Sequence, residues 1–239
     1  MAHVQQFYVL PENVKEQVLY LVGDEVRHAL RVLRKKIGET ITAVDGRGNR
    51  YKGLLKEIKK DGLVVGITHA EIDVEKPCRH LTLAQAVPKG GRFDWVIEKG
   101  TEIGVSSFQP ILSRYSVADP GSRLQRWRKL ALSAMKQSGR CRCPDVVPPL
   151  PFPDVIHNYA DASLLIAHED GIHFEASLLR NSSQIVLFVG PEGGFSQQEL
   201  SQAKNNGAVV VTLGRYRLRS ETAGLVGAIK ILDAADQLG

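Results

Sequence analysis

The sequence predicts an α/β protein in two parts, a small domain of short strands followed by a largely parallel sheet whose strands alternate with helices. Three observations predict it. Short apolar runs separated by Asp-Gly turns fill the chain as far as Ile67, and from Leu81 onward strand-like and helix-like patterns alternate. The run Ile185-Val186-Leu187-Phe188-Val189 is short, apolar and β-branched. It reads as a strand buried on both faces, which requires a sheet covered on both sides.

In chain order, residues 7–9 and 18–21 are strand candidates. Asp24 is placed to cap a short helix through Leu33, with Ala29, Leu30 and Leu33 on its inner side. Residues 40–44, 51–58 and 63–67 follow as strands, separated by Asp45-Gly46-Arg47-Gly48 and Asp61-Gly62. Strands this short and this closely spaced suggest a small barrel. A polar stretch at residues 73–77 marks a boundary and gives domains of 1–73 and 74–239.

Beyond it, residues 81–87 form a strand, 92–103 an amphipathic helix, 108–112 a strand, and 123–137 a helix closed by Gly139. Residues 146–147 make a short strand and 163–167 a longer one. The strand at 185–189 ends abruptly at Gly190-Pro191-Glu192-Gly193-Gly194-Phe195, and Ser196 with Glu199 forms a capping box that opens a helix reaching Asn206-Gly207. Residues 209–213 form a last strand, ending at Gly214. After the basic loop Arg215-Tyr216-Arg217-Leu218-Arg219, Ser220 is placed to cap a helix of small and apolar residues. No internal repeat or low-complexity tract interrupts this order.

Composition narrows the function classes. At 239 residues and 43% hydrophobic content the chain suits one large or two modest domains. No apolar run approaches the length of a membrane span, and the first residues lack the basic-then-apolar pattern of a signal peptide, so no membrane partner is expected. Cys78, Cys141 and Cys143 are an odd set without a disulfide framework, which fits a cytoplasmic location. Cys141 and Cys143 supply at most two metal ligands. The run His168-Glu169-Asp170 with His173 has spacing that permits a metal, yet a polar loop is the simpler account, so no metal is expected. Neither a Gly-Lys-Ser/Thr phosphate loop nor a Gly-x-Ser-x-Gly elbow occurs, so hydrolysis of nucleotides or of esters by serine has no support.

Charge is informative through its distribution. The net charge is +5, but residues 27–60 hold eleven lysines and arginines against three carboxylates. A cluster of one sign suits a polyanion better than plain solvation does. A second basic segment holds Arg114, Arg123, Arg126, Arg128, Lys129, Lys136, Arg140 and Arg142 against Asp119 alone. The apolar stripe Leu124, Trp127, Leu130, Ala131 and Ala134 puts that charge on the outer face of its helix.

Two strands ending in glycine turns at one edge of a sheet are where an α/β protein places a ligand. Glycine is required there when main chain must touch the ligand, because a Cβ would occupy the space.

These motifs support a resemblance. Gly190-Pro191-Glu192-Gly193-Gly194-Phe195-Ser196, followed by Leu213-Gly214 and Leu218-Arg219-Ser220-Glu221-Thr222-Ala223, resembles the RsmE family. The likeness extends to Pro88-Lys89-Gly90, to the helix from Trp95 to Val105 and to Gln137-Ser138-Gly139-Arg140, and so covers nearly the whole chain. The family consists of SPOUT-class methyltransferases that use S-adenosyl-L-methionine to methylate N3 of a uridine in small-subunit (16S) ribosomal RNA. The resemblance implies a SPOUT-type knotted parallel sheet with a smaller N-terminal PUA-like β-barrel. A C-terminal trefoil knot would bring together the loops near residues 165–169, 190–194 and 213–218. By matched position it implies cofactor contacts from Ile166, His168, Gly190, Gly194, Leu213 and Leu218. Arg219, and with it Arg217, would hold the uracil carbonyl oxygens as the catalytic pair.

The family's basic helix signature stands here as His28-Ala29-Leu30-Arg31-Val32-Leu33-Arg34, and implies RNA contacts from Arg27, Arg31 and Arg34. Two departures stand out. The chain has Gln5-Gln6 where the family often carries an arginine before the first aromatic strand, and Gly214-Arg215-Tyr216-Arg217-Leu218 where it usually has Gly-Pro-Arg-x-Leu. Homodimers are the rule in this class, and an assembled or nearly assembled ribosomal subunit is the expected substrate. Residue types alone also leave open an RNA-binding assembly factor without turnover and a knotted methyltransferase of transfer RNA; they identify no general base. Glu98 and Glu102, one turn apart, read as helix surface.

Overall fold

The computed structural model describes residues 5–74, 76–116, 123–179 and 182–238. The chain divides into two compact units, Met1–Lys76 with Leu132–Cys143, and Pro77–Ala131 with Pro144–Gly239.

The first unit contains β1 (Phe7–Tyr8), β2 (Val18–Val22), α1 (Asp24–Arg27), β3 (Thr40–Val44), β4 (Arg50–Ile58) and β5 (Gly62–Glu71). Its sheet runs β1-β3-β4-β5-β2, with β1 parallel to β3 and the other pairs antiparallel. Two register shifts between β4 and β5 bend the long pair, as bulges do. Gly53 sits at one of them, where a Cβ would lie 2.3 Å from the Gly66 carbonyl oxygen. The bent sheet encloses Phe7, Leu19, Leu21, Ile41, Leu55, Leu63 and Val65. A second cluster gathers Val44, Met135 and Cys141, with Tyr8, Leu132 and Cys143 against it.

The helix after β2 departs from expectation. Asp24 is its first residue, not its cap; Gly23 holds the cap position, and the Asp24 carboxylate pairs with Arg27 at 2.7 Å. After Arg27 the backbone widens into a π-helical turn, His28–Val32, closed by the Leu33 N–H donating to the His28 carbonyl at 3.0 Å. Ala29 is buried, and Leu30 and Leu33 pack on the core, on the side the sequence indicates.

The second unit contains β6 (His80–Ala86), α2 (Arg92–Ile103), β7 (Ser107–Leu112), the start of α3 (Leu124–Ser138), β8 (Asp145–Val146), β9 (Leu150–Pro151), α4 (Phe152–Asn158), β10 (Ser163–His173), β11 (Gln184–Val189), α5 (Gln197–Asn205), β12 (Val209–Thr212) and α6 (Ser220–Ala234). The strand order is β12-β10-β11-β6-β7-β8, with β9 also on β7, and every pair is parallel. On one face Phe152 of α4 packs edge-on against Phe188 at 5.4 Å and tilted against Phe195 at 4.8 Å. On the other face α6 lies close to the sheet because it has glycines there: a Cβ on Gly227 would come within 2.5 Å of the Leu187 side chain.

β12 pairs with β10, not with its predecessor β11, so the connection from β11 through α5 to β12 passes over β10. That crossing brings three loops together. β10 is also longer than residues 163–167. It resumes after a looped-out segment, and Ala167 and Ile172 both pair with Val211. No local pattern signals β9 and α4, whose neighbouring prolines at 148, 149, 151 and 153 argue against regular structure. Pro153 lies in the first turn of α4, where its missing N–H costs nothing.

Much of the second basic segment is engaged within the protein. Arg126 donates twice to Asp94 at 2.6 and 2.9 Å, Arg128 donates to the Val146 carbonyl at 3.0 Å, and Arg142 pairs with Asp73 at 2.6 Å. Lys136 pairs with Glu25. Asp119 lies outside the described residues.

Candidate cofactor and substrate pocket

Three segments of the second unit wall a pocket of about 700 Å³: Ala167 to Glu169, Val189 to Phe195, and Thr212 to Ser220 with Ala223. That volume lies within the roughly 300–1,000 Å³ of sites for cofactor-sized molecules.

Each wall has a local cause. β11 delivers the first: its last residues are buried on both faces, and Gly190 leads into a turn closed by the Gly194 N–H donating to the Pro191 carbonyl at 2.9 Å. Gly194 takes φ +72°, which a side-chain-bearing residue adopts at a cost, and a Cβ there would point into open space. The turn is anchored from behind by the capping box of α5. Glu199 accepts from the Ser196 N–H and hydroxyl at 2.8 Å each with one oxygen, and from the Arg114 N–H at 2.8 Å with the other.

The second wall is the segment looped out of β10, which carries His168 and Glu169 to the pocket. His168 Nδ1 accepts from the Asp170 N–H at 3.2 Å. The third wall is the basic loop between β12 and α6. Thr212 donates to the Gly214 carbonyl at 3.1 Å at its start. Arg215, Tyr216, Arg217 and Arg219 are exposed, Tyr216 at 78%. Neither Arg217 nor Arg219 enters an ion pair among the described residues. Ser220 is the first residue of α6 and not its cap; its hydroxyl donates instead to the Gly190 carbonyl at 2.7 Å, tying the third wall to the first.

His168, Gly190, Gly194, Leu213, Leu218, Arg217 and Arg219 therefore share one pocket. Ile166 does not reach it. It is fully buried in the sheet, paired with Phe188 and Val210, and its neighbour Ala167 holds the lining position. Sequence reasoning missed Thr212 and Ser220, although Ser220 directly follows Arg219. Glu98 and Glu102 lie elsewhere, both paired with Lys99 at 2.9 and 2.8 Å on an exposed face of α2, and those bonds, to Glu102 first, raise the Lys99 pKa.

In the first unit, Arg31 and Arg34 are exposed, and Arg34 adopts φ +53° beyond the π-helical turn. Arg27 is exposed but paired with Asp24. Gln6 is 4% exposed, and its amide donates to the Arg140 and Met135 carbonyls at 2.6 and 3.3 Å, so its side chain is a structural anchor.

The pocket's walls fit S-adenosylmethionine on chemical grounds. Gly194 leaves open space where a Cβ would stand, while Val189, Leu213, Leu218 and Ala223 supply apolar surface. Among the described residues, no helix is long and apolar enough to cross a membrane.

Known proteins are similar to this chain in sequence and fold. Residues 74–232 match the RNA methyltransferase domain family, and residues 21–68 match the RNA methyltransferase PUA domain. The ribosomal RNA small subunit methyltransferase E of Synechocystis is 32% identical over 93% of this chain and 75% of its own length. That of Bacillus subtilis is 30% identical over 93% of each. A crystal structure of the Neisseria gonorrhoeae ribosomal RNA small subunit methyltransferase E bound to S-adenosylmethionine superposes with TM-score 0.86 at 34% identity, covering 97% of this chain and 98% of that one. A probable rRNA methyltransferase of Porphyromonas gingivalis superposes with TM-score 0.85 at 32% identity, over 96% and 98%. With a parallel sheet of the SPOUT type, a PUA-like first domain and near-complete coverage by these relatives, the chain belongs to the RsmE family of RNA methyltransferases.

Proposed function

We propose that the pocket of residues 167–223 binds S-adenosylmethionine and that the protein methylates N3 of a uridine in small-subunit (16S) ribosomal RNA. The observation that carries this reading is the pairing of a glycine-walled pocket with two exposed arginines, Arg217 and Arg219, on its third wall. The cofactor, when bound, supplies an electrophilic methyl group and leaves as S-adenosylhomocysteine. The chain's own residues prepare the acceptor. N3 lies on the pairing edge, so the target base must be unpaired or drawn out of its helix. Guanidinium groups at the uracil carbonyl oxygens stabilise the negative charge that develops as N3 gives up its proton to solvent, and that charge is consumed as the new N–C bond forms and the sulfonium is neutralised. Cytosine, whose N3 already has a lone pair, gains less from such a site. Tyr216, between Arg215 and Arg217, offers an aromatic face on which an extruded base can stack.

Arg31 and Arg34 of the N-terminal unit are assigned to the RNA backbone, with Arg27 in support after exchanging its Asp24 partner for phosphate. We assign the chain crossing at β12 and α6 to a trefoil knot, the active form to a homodimer, the substrate to an assembled or nearly assembled subunit, and the location to the cytoplasm. The domains are taken as 1–73 and 74–239. The test is mass spectrometry of ribosomal RNA nucleosides after incubation of small subunits with the purified protein and S-adenosylmethionine. N3-methyluridine at one site is expected. Methylation confined to transfer RNA, or a methyl on ribose or carbon, would overturn the reading.

A further inference from the structure

Gln85 lies on β6, behind the pocket and outside its lining, and is fully buried. It pairs in register with Val189, the residue before Gly190. Its amide nitrogen donates to the Ser220 carbonyl at 3.0 Å and to the Ser220 hydroxyl at 3.2 Å. The Ser220 hydroxyl donates in turn to the Gly190 carbonyl at 2.7 Å. The direction of this chain is fixed by chemistry. Both carbonyls can only accept, and the hydroxyl has one proton, so Gln85 must present its NH2 to Ser220 and Ser220 must direct its proton to Gly190.

The arrangement has a cost. With the NH2 so committed, Gln85 Oε1 is buried without a hydrogen-bond partner among the described residues. It faces Gly224, where a Cβ would come within 2.2 Å of it. An apolar side chain of similar length would avoid that penalty, because a buried polar atom without a partner destabilises the fold. Gln85 is therefore poorly explained as a residue that serves packing.

We infer that Gln85 is a positioning residue for the cofactor pocket, holding the Gly190 turn and the start of α6 at a fixed separation through Ser220. This rests on the reading of the pocket as the S-adenosylmethionine site. Gln85 touches no ligand on this account. It fixes the rotor of Ser220, and through it the carbonyl at which the Gly190–Gly194 turn begins.

The test is calorimetric titration of the full chain with S-adenosylmethionine, beside thermal unfolding without ligand. Gln85→Leu and Ser220→Ala should each raise Kd by roughly tenfold, the loss of one well-formed hydrogen bond. The double variant should be no worse than either single one, because both break the same chain. Without ligand, Gln85→Leu should melt at or above the temperature of the parent, whereas a merely structural role would lower it. In Gln85→Glu the ionised carboxylate would draw the Ser220 proton away from Gly190, so affinity should fall further and recover on acidification as the carboxyl regains a donor. Gly194→Val is the reference. If it weakens binding while Gln85→Leu and Ser220→Ala leave Kd unchanged, or if the losses in the double variant add, the positioning role is wrong. If Gly194→Val itself leaves Kd unchanged, the pocket reading has failed and the inference falls with it.

Discussion

Gly171 lies so close to Val211 of the neighbouring strand that a Cβ on it would fall 2.3 Å from the Val211 carbonyl carbon. The segment looped out of β10 can close back onto β12 only because this position has no side chain, and the loop delivers His168 and Glu169 to the pocket. Gly171→Ala should therefore force the loop outward, destabilising the protein by about 1–3 kcal/mol as overpacking does. Chemical denaturation should show the lower midpoint, and titration should show weaker S-adenosylmethionine binding. A variant with parent-like stability and affinity would mean the strand shifts freely at this point.

Arg219→Ala should separate binding from turnover. The guanidinium is assigned to the base, not to the cofactor, so calorimetry should give S-adenosylmethionine affinity within about twofold of the parent, while single-turnover methylation slows by roughly 100-fold or more, the scale of removing one charge-stabilising donor. Equal loss in both would place Arg219 on the cofactor instead.

Reversal of Arg31 and Arg34 to glutamate should weaken RNA binding and flatten its salt dependence, by about 0.7–0.9 in log–log slope for each phosphate that is no longer neutralised. Both side chains are exposed and outside the pocket, so cofactor affinity should not move. An unchanged slope would remove this turn from the RNA-binding surface.

Alkaline pH should loosen the N-terminal unit first. Burial, then the nearby Asp45 carboxylate, raises the Tyr51 pKa above 10.0, and burial does the same for Tyr8. A phenol with a raised folded-state pKa keeps its full contribution below the unfolded value near 10 and loses it as pH rises through the folded one. Melting temperature should accordingly fall above about pH 10. Tyr51→Phe should make the fall shallower, as followed by circular dichroism between about pH 9 and 11.

Local chemistry was the legible part of the fold. α2 occupies residues 92–103 as its apolar spacing indicates, and the Ser196–Glu199 box forms both of its bonds. The glycine turns and Arg217 and Arg219 meet in the pocket. What could not be read depends on partners distant in sequence. Polar residues 168–171 look like a loop after a finished strand until β12 is present to pair on both sides of them. Arg126 looks like a free cation until Asp94, thirty-two residues away, takes its charge. Ser220 has the residue type of a cap, and Gly190 takes its hydroxyl. The π-helical turn at His28–Val32 follows from packing, since a 3.6-residue repeat reads as an ordinary helix.

The strand order also governs assembly of the fold. β6 pairs with β11, joining His80 to Gln184 across 104 residues, and β10 must lie between β11 and β12. Closing so long a loop is unfavourable in entropy and is offset only when the whole sheet forms, which slows folding. During synthesis, residues 80–86 must wait with one edge unpaired until residues 184–189 emerge. The pocket draws on residues 167–223, which both flank and include β12, so cofactor retention should report completion of this part of the sheet.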